Sequence, residues 1–411
     1  MKILLVNKYH YPRGGADKYY LELGRELEKA GHEVAYFAMH HPLNLQSKWQ
    51  KYFLSRVSYN ENIWRYAHKI PLRAIYSLEA KRKFKKLLKD FQPDIIHLHN
   101  IYYQLSPSIL DAATKTKIPT IMHVHDYNLV CPNHSLFVRG KICKQCLHGN
   151  YYHCLKKRCV KNSLSASFLG VLTLWIHNNL LKIYQKNIQL LITPSQFMKN
   201  ILIEADWAEA KIKVINNPFY LNKITKVNQK EKYFIYCGRL SAEKGVDTAI
   251  YALKNNKKLQ LKIVGSGPEE KSLHQLTTHL NLDKQVSFLG WKQGDELQTL
   301  ISQAQALLLP SRWLENFPLI ALEALALGTP ILASKIGGIP EIVNNKNGSL
   351  LTVDNIEEWH QALVSVERGE LHWSREDLLN SATKFSPERN LQEVLKTYQQ
   401  IIASYKKTPL K

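Results

Sequence analysis

Two doubly wound α/β domains in tandem are what this sequence predicts, on three observations. Short apolar runs of strand character alternate with helix-periodic stretches along nearly all of its 411 residues. The alternation restarts near residue 231, where a strand again runs into a Gly-containing loop. A composition of 45% hydrophobic and 22% charged residues is that of a globular chain, long enough for two or three cores, and excludes a disordered one.

From the N-terminus, strands are predicted at 2–6, 33–37, 95–99, 120–124, 190–193 and 213–215, then at 233–236, 259–264, 286–289, 306–309 and 331–333. Helical periodicity marks 17–30, 318–327 and the tail 387–405, where Leu391, Val394, Leu395, Tyr398, Ile401 and Ile402 share one face. Residues 1–7 are too short for a secretory signal and lack a small-residue cleavage site, so they read as strand. No apolar run reaches the ~20 residues that span a bilayer, and the nearest, 164–176, stops at His177-Asn178-Asn179. A cytoplasmic protein is the expectation. The polar stretch 221–232 reads as a linker. The expected domains are 1–217, carrying a cysteine-rich insert at 131–159, and 218–386, followed by a C-terminal helix and tail at 387–411. Ligands are expected beyond the carboxyl ends of the strands.

Charge is uneven. Residues 1–230 hold 35 Lys and Arg against 14 Asp and Glu, a net of +21, whereas residues 231–411 hold 21 against 20, a net of +1. One basic half points to one anionic surface met by one domain. Between 48 and 89, twelve Lys and Arg interleave with Trp49, Tyr52, Phe53, Trp64, Tyr66 and Phe84. That mixture suits an anionic membrane surface, with an ordinary solvated helix as the bland alternative. No nucleic-acid recognition motif accompanies the charge, so nucleic acid is not an expected partner.

The most specific stretch runs from Pro310 to Pro330. A strand ends at Pro310, a loop bearing Glu315 follows, and Pro318 sits where a helix tolerates proline, at its first position. The free N–H groups of that helix suit a phosphate, while Glu315 and Glu323 can accept hydrogen bonds from sugar hydroxyls. Burying Glu323 on an otherwise apolar helix is costly without such a partner. A second element, Cys237-Gly238-Arg239 to Lys244-Gly245, puts two cations on a strand-to-helix loop, able to neutralise a diphosphate without a metal. Weaker signals are the glycine turn Gly265-Ser266-Gly267, Trp291, Arg13-Gly14-Gly15 after the first strand, and His125-Asp126 at the end of the 120–124 strand. His97, His99 and His123 alternate along strands and read equally as core histidines.

The Glu-x7-Glu spacing of Glu315 and Glu323, followed by Gly337-Gly338-Ile339-Pro340-Glu341, resembles the family-4 glycosyltransferases, retaining enzymes of the GT-B fold, over essentially the whole chain. The resemblance implies two Rossmann-like domains facing an interdomain cleft, with a C-terminal helix able to cross back to the first. It gives Glu315, Asn316 and the backbone of Phe317, Pro318 and Leu319 to the donor sugar and diphosphate, and Glu323 to the ribose. Arg239 and Lys244 then match the diphosphate ligands, and Gly265 lies near the nucleotide. Trp291 either stacks on the base or simply packs. Gly14 and Gly15 adjoin the diphosphate, and His125 contacts the donor sugar, so that His125, Arg239, Lys244 and Glu315 form the expected catalytic set. The implied reaction moves a hexose from a UDP- or GDP-linked sugar to a glycan or lipid-linked acceptor in cell-surface polysaccharide synthesis, at the inner membrane face. A catalytically inactive GT-B scaffold or glycan-binding subunit is the alternative. No Asp-x-Asp pair occurs, so no cofactor is expected for catalysis.

Five of the six cysteines, Cys131, Cys143, Cys146, Cys154 and Cys159, fall in the insert. Structural zinc, free thiols and disulfides are all compatible with their spacing, and the ligand set of a zinc site is left open.

Overall fold

The computed structural model describes residues 1–57, 69–221 and 230–407. Most of the linker read at 221–232, and Trp64 and Tyr66 of the basic stretch, lie outside the described residues. The chain divides into two units. The first comprises Met1–Leu136, Cys143–Asn216 and the C-terminal stretch from Glu388, and the second Phe137–Ile142 and Asn217–Pro387.

In the first unit, strands β1 (Lys2–Val6), β2 (Glu33–Phe37), β3 (Ile95–Leu98) and β4 (Thr120–His123) form a parallel sheet. A hairpin of β5 (Phe137–Val138) and β6 (Lys141–Ile142) intervenes in sequence, and β7 (Leu190–Thr193) and β8 (Ile212–Val214) complete the sheet in the order β2-β1-β3-β4-β7-β8. Ile3, Leu4, Leu5 and Val6 are all fully buried, as a parallel strand covered on both faces requires. Helix α1 (Gly15–Lys29) starts at Gly14, and α2 (Leu78–Phe91) starts at Ser77, whose hydroxyl accepts from the Ala80 N–H. Helix α3 (Leu164–Trp175) is capped in the same way by Ser163.

The second unit holds β9 (Phe234–Cys237), β10 (Leu261–Val264), β11 (Val286–Gly290), β12 (Leu307–Leu309), β13 (Ile331–Ser334) and β14 (Gly348–Leu351) in the order β11-β10-β9-β12-β13-β14, all parallel. Counted within this unit the order is third-second-first-fourth-fifth-sixth, the Rossmann arrangement, and the order reverses between β9 and β12. Its core includes Phe234, Leu261, Ile263, Leu308, Leu332 and Trp359. Helix α4 (Leu319–Ala326) follows β12. Pro318 is its N-cap, not its first helical residue, because a ψ of 111 leaves it extended.

The last helix, α5 (Pro387–Lys407), belongs almost entirely to the first unit. Val394 and Tyr398 on it are fully buried, and the Tyr398 hydroxyl lies 2.7 Å from Nδ1 of His97 on β3. Asn390 donates to the Asn216 carbonyl at 2.8 Å.

Sequence periodicity missed β14 and the hairpin. β14 opens on Gly348-Ser349 and has no β-branched residue, and the hairpin strands are two residues each, so neither carries a readable alternation.

Candidate active site

The reversal between β9 and β12 places two loops side by side at the strands' carboxyl ends. The loop after β9 carries Gly238, Arg239 and Lys244, and the loop after β12 carries Ser311 and Glu315. Backbone contact that only glycine permits joins them. Gly245, at φ 65, lies so close to the Pro310 carbonyl that a Cβ would stand 2.0 Å from its oxygen. The Arg312 N–H donates to the Glu243 carbonyl at 2.9 Å.

Across this junction Lys244 Nζ donates to Glu315 Oε1 at 2.7 Å, and the Ser311 hydroxyl donates to the same oxygen at 2.7 Å. Glu315 is buried, at 7% exposed. Burial alone would raise its pKa, but the Lys244 charge and hydrogen bond and the Ser311 hydroxyl outweigh it and hold the carboxyl below its usual value. The Lys244 ammonium also lies 5.0 Å from the Trp313 ring centroid. An ammonium has three donors, so Glu315 leaves Lys244 able to hold an anion as well.

Glu315 is further fixed from behind. Gly337, at φ 60, packs against its backbone so closely that a Cβ would come within 2.3 Å of the Glu315 carbonyl oxygen, and the Gly338 N–H donates to that oxygen at 2.7 Å. The Gly-Gly-Ile-Pro-Glu stretch is therefore a seat for Glu315.

Both acidic residues stand at the end of β9. The Tyr236 phenol is pushed up by burial and then by the Glu315 charge, and the neighbouring Cys237 thiol is pushed up by burial and then by Glu323. Glu323, on the second turn of α4, is buried at 8% exposed. Asn316 and Phe317 are buried beside it, while Pro318 and Leu319 are half-buried at the uncapped start of α4. Arg239, two residues past Cys237, is exposed. A Cβ on Gly265, at φ 137, would stand 1.8 Å from the Gly238 carbonyl oxygen, which pins the glycine turn after β10 to the same loop. Trp291 is 64% exposed, so it does not pack into the core and that reading of it is corrected.

Two residues that sequence reasoning left without a role complete the site. Ser311 holds Glu315, as described. Arg312 makes a bidentate pair with Asp247, both contacts at 2.8 Å, tying the β12 loop to the helix after Lys244, and a third contact with Asp354 at 2.6 Å, tying it to the loop after β14. Both lie inside the Pro310–Pro330 stretch, but their partners are 65 and 42 positions away for Arg312, beyond any local pattern.

In the first unit, His125 follows β4. Its Nε2 lies 2.9 Å from Nδ1 of His99, and its ring stacks on His123 at 4.4 Å between centroids. His97, His99 and His123 are fully buried, so the three alternating histidines do sit in the core, yet the rings of His99 and His123 stack on that of His125, and His97 in turn stacks on His123 at 6.0 Å between centroids. Burial, with the Lys8 charge adding, pushes His125 down to about 3, so its imidazole is neutral near pH 7. Gly14 is extended at φ −160, and a Cβ there would meet only the Asp17 carboxylate, at 4.0 Å. The close approach expected of that glycine is therefore not required by the first unit's own backbone. Asn7, after β1, donates to Asp17 at 2.8 Å and accepts from the Asn100 N–H at 3.2 Å, joining the loops after β1 and β3 to α1.

Among the described residues no disulfide joins the six cysteines. Burial raises Cys131 to about 11 and Cys146 to about 12, which makes both poor nucleophiles near neutral pH. Among the described residues no three His, Cys, Asp or Glu side chains are grouped as metal ligands.

The sequence matches two family profiles. Residues 13–223 match the one described as glycosyltransferase family 4, and residues 221–401 match the one described as glycosyl transferases group 1. Similar proteins include a 42.6 kDa protein of the cps region of Klebsiella pneumoniae, 27% identical over 83% of this chain and 87% of the relative. The N-acetyl-alpha-D-glucosaminyl L-malate synthase of Bacillus anthracis is 24% identical over 88% of this chain and 87% of its own. Among solved structures, the lipopolysaccharide outer core galactosyltransferase WaaB superposes with a TM-score of 0.64 at 18% identity, covering 98% of this chain and 99% of that one. Anabaena HepE, solved in complex with UDP-glucose, gives 0.67 at 19%, covering 97% and 100%.

Proposed function

The chain belongs to glycosyltransferase family 4 and is a glycosyltransferase, and we propose that it moves a hexose from a nucleotide diphosphate sugar to a hydroxyl of a glycan or lipid-linked acceptor, with retention and without a metal. The observation that carries this reading is the Lys244–Glu315 pair, set at the switch point between β9 and β12, beside Glu323 and the uncapped start of α4. The relative from a cps region and the likeness to a lipopolysaccharide outer core galactosyltransferase favour a cell-surface glycan as the product, and the UDP-glucose bound by HepE favours a UDP-linked donor.

In this reading the α4 N–H groups, Lys244 and Arg239 hold the diphosphate, and Glu323 accepts from the ribose hydroxyls. Glu315 orients Lys244 and receives a sugar hydroxyl. The acceptor oxygen bonds to the anomeric carbon on the face that the phosphate leaves. The bond from that carbon to the phosphate oxygen breaks, and the same phosphate oxygen takes the acceptor proton. The products are a glycoside of unchanged anomeric configuration and the nucleoside diphosphate. Lys244 and Arg239 stabilise the charge that grows on the departing phosphate. His125, as a neutral imidazole, acts as a hydrogen-bonding group toward the donor sugar and not as a cation.

The test is nucleoside diphosphate release from a panel of UDP- and GDP-sugars, with and without a chelator, and NMR of the product's anomeric proton. Release that survives chelation, an unchanged anomeric configuration, and a loss of about a hundredfold or more in Glu323→Ala support the reading. An inverted product, a strict need for a divalent ion, or no turnover with any donor contradicts it, the last in favour of an inactive scaffold.

A further inference from the structure

The sugar-transfer chemistry leaves unused a helix of the first unit that is inside out. α3 is apolar around most of its circumference, and such helices are ordinarily enclosed on all sides. Here the small or polar Ser167, Gly170 and Thr173 face the protein with Leu174, while Leu164, Phe168 and Trp175 are 55%, 54% and 45% exposed. The π-helical turn that continues it, Ile176–Leu180, adds Leu180 at 61% exposed. Tyr152, on the adjoining helix Tyr152–Lys157, is also exposed. Large apolar side chains have thus been placed outward over some 17 residues, about 25 Å of helix at ~1.5 Å per residue.

The helix is held in this orientation. Asn178 donates to the Leu129 carbonyl at 2.8 Å and to the Tyr151 hydroxyl at 2.9 Å, and His177 Nε2 bonds the Ile75 carbonyl at 2.7 Å. Rolling the apolar side inward would break all three bonds.

Charge decides what covers the face. Residues 127–203 contain ten Lys and Arg and not one Asp or Glu. Exposed Lys156 and Arg158 precede α3, and exposed Lys182 and Lys186 follow its π turn. A second copy of the chain would bring the same cations against these, and like charges would oppose the contact. An anionic bilayer meets every feature at once: acyl chains for Leu164, Phe168 and Leu180, the headgroup level for Trp175 and Tyr152, and lipid phosphates for the cations. Among the described residues no helix is long and apolar enough to cross a membrane, which leaves an in-plane contact. We propose that the outer face of α3 and its π turn is a docking surface that lies in the headgroup region of an anionic lipid bilayer.

The experiment is co-sedimentation of the full chain with vesicles of phosphatidylglycerol and phosphatidylcholine, compared with phosphatidylcholine alone, at low and raised salt. Wild type is expected to bind the anionic vesicles, weakly at high salt, and to bind neutral ones little. Phe168→Ser/Trp175→Ser should lower the bound fraction about tenfold while leaving thermal unfolding and sugar-nucleotide turnover unchanged, since both side chains are exposed. Lys156→Glu/Arg158→Glu should weaken binding to anionic vesicles only. Undiminished binding by the Phe168/Trp175 variant, or equal binding to both vesicle types, overturns the proposal. So does self-association that the same variant abolishes in a chain that binds no vesicles, an outcome that would give the face to a second copy. None of these readouts depends on which sugar is transferred.

Discussion

Nδ1 of His99 and Nε2 of His125 lie 2.9 Å apart in rings inclined by only 17°, so one nitrogen donates and the other accepts, and the pair shares a single proton. His125 and, in turn, His97 are pushed down to about 3, chiefly by burial, and His99 falls well below its usual value for the same reason and through its histidine neighbours. The cluster is therefore built to be neutral, and a proton added to it breaks a contact it depends on.

Stability should accordingly fall in mild acid. An unfolded histidine takes up its proton near pH 6.5, and these do so in the folded state only near 3, so between the two values the unfolded chain binds more protons. Stability is full above about pH 6.5 and is lost as pH drops through that window. One such histidine costs about 2 kcal/mol by pH 5. Urea unfolding at pH 7.5 and pH 5 measures it, and coincident midpoints would contradict the neutral cluster.

Lys244→Ala should separate chemistry from stability. Turnover is expected to fall at least about a hundredfold, and unfolding free energy by about 1–3 kcal/mol, because Glu315 is left as a buried carboxylate without its cation. Since Lys244 holds the Glu315 carboxyl low, this contribution is present above the ordinary carboxylate pKa and is lost as pH falls below it. Lys244→Ala/Glu315→Gln should recover the stability and none of the activity. Recovery of both would remove the pair from the reaction.

Gly337→Ala tests the seat beneath Glu315. Its φ of 60 and a Cβ position 2.3 Å from the Glu315 carbonyl oxygen predict a loss of about 2 kcal/mol or more, with reduced turnover. Gly369→Ala is the control, since its φ is 74 but nothing lies within 4 Å, and it should cost only about 1 kcal/mol with full activity. Equal effects in the two variants would mean that backbone strain alone, not contact with Glu315, matters at position 337.

Tyr398→Phe tests the anchoring of α5. It keeps the ring and removes the hydroxyl 2.7 Å from His97 Nδ1, leaving a buried nitrogen unpartnered at a cost of about 1–3 kcal/mol. A chemical denaturation curve matching that of wild type would show that packing alone holds the helix.

Strand order and the identity of the acidic and basic site residues were open to different degrees in the primary structure. The strands of both sheets announce themselves because a parallel strand buried on both faces must be an unbroken apolar run, as Ile3–Val6 and Leu307–Leu309 are. Glu315, Glu323, Arg239 and Lys244 stand out because charged residues at strand ends and on an apolar helix need a reason to be there. Arg312 and His99 do not stand out, since each acquires its role only from a partner brought near by the sheet, and Ser311, four residues before Glu315, is a loop serine like any other until the fold turns its hydroxyl onto that carboxylate. Trp291 shows the converse: an aromatic residue after a strand looks as suitable for the core as for a ligand, and only its exposure excludes packing.

What the amino-acid order alone determined is local: where chain buries on two faces, where glycine and proline interrupt it, and which charges sit at those interruptions. Tertiary structure decided which of these meet. The reversal of strand order between β9 and β12 puts Lys244 within 2.7 Å of Glu315 across 71 positions, and the return of α5 sets Tyr398 against His97 across 301. It also turned α3 outward, against what its apolar composition would give a helix judged by itself, because Asn178 and His177 find their hydrogen bonds only on the protein side. Pairing of distant groups depends on how sheets and helices close around a shared core, and no window of sequence contains that information.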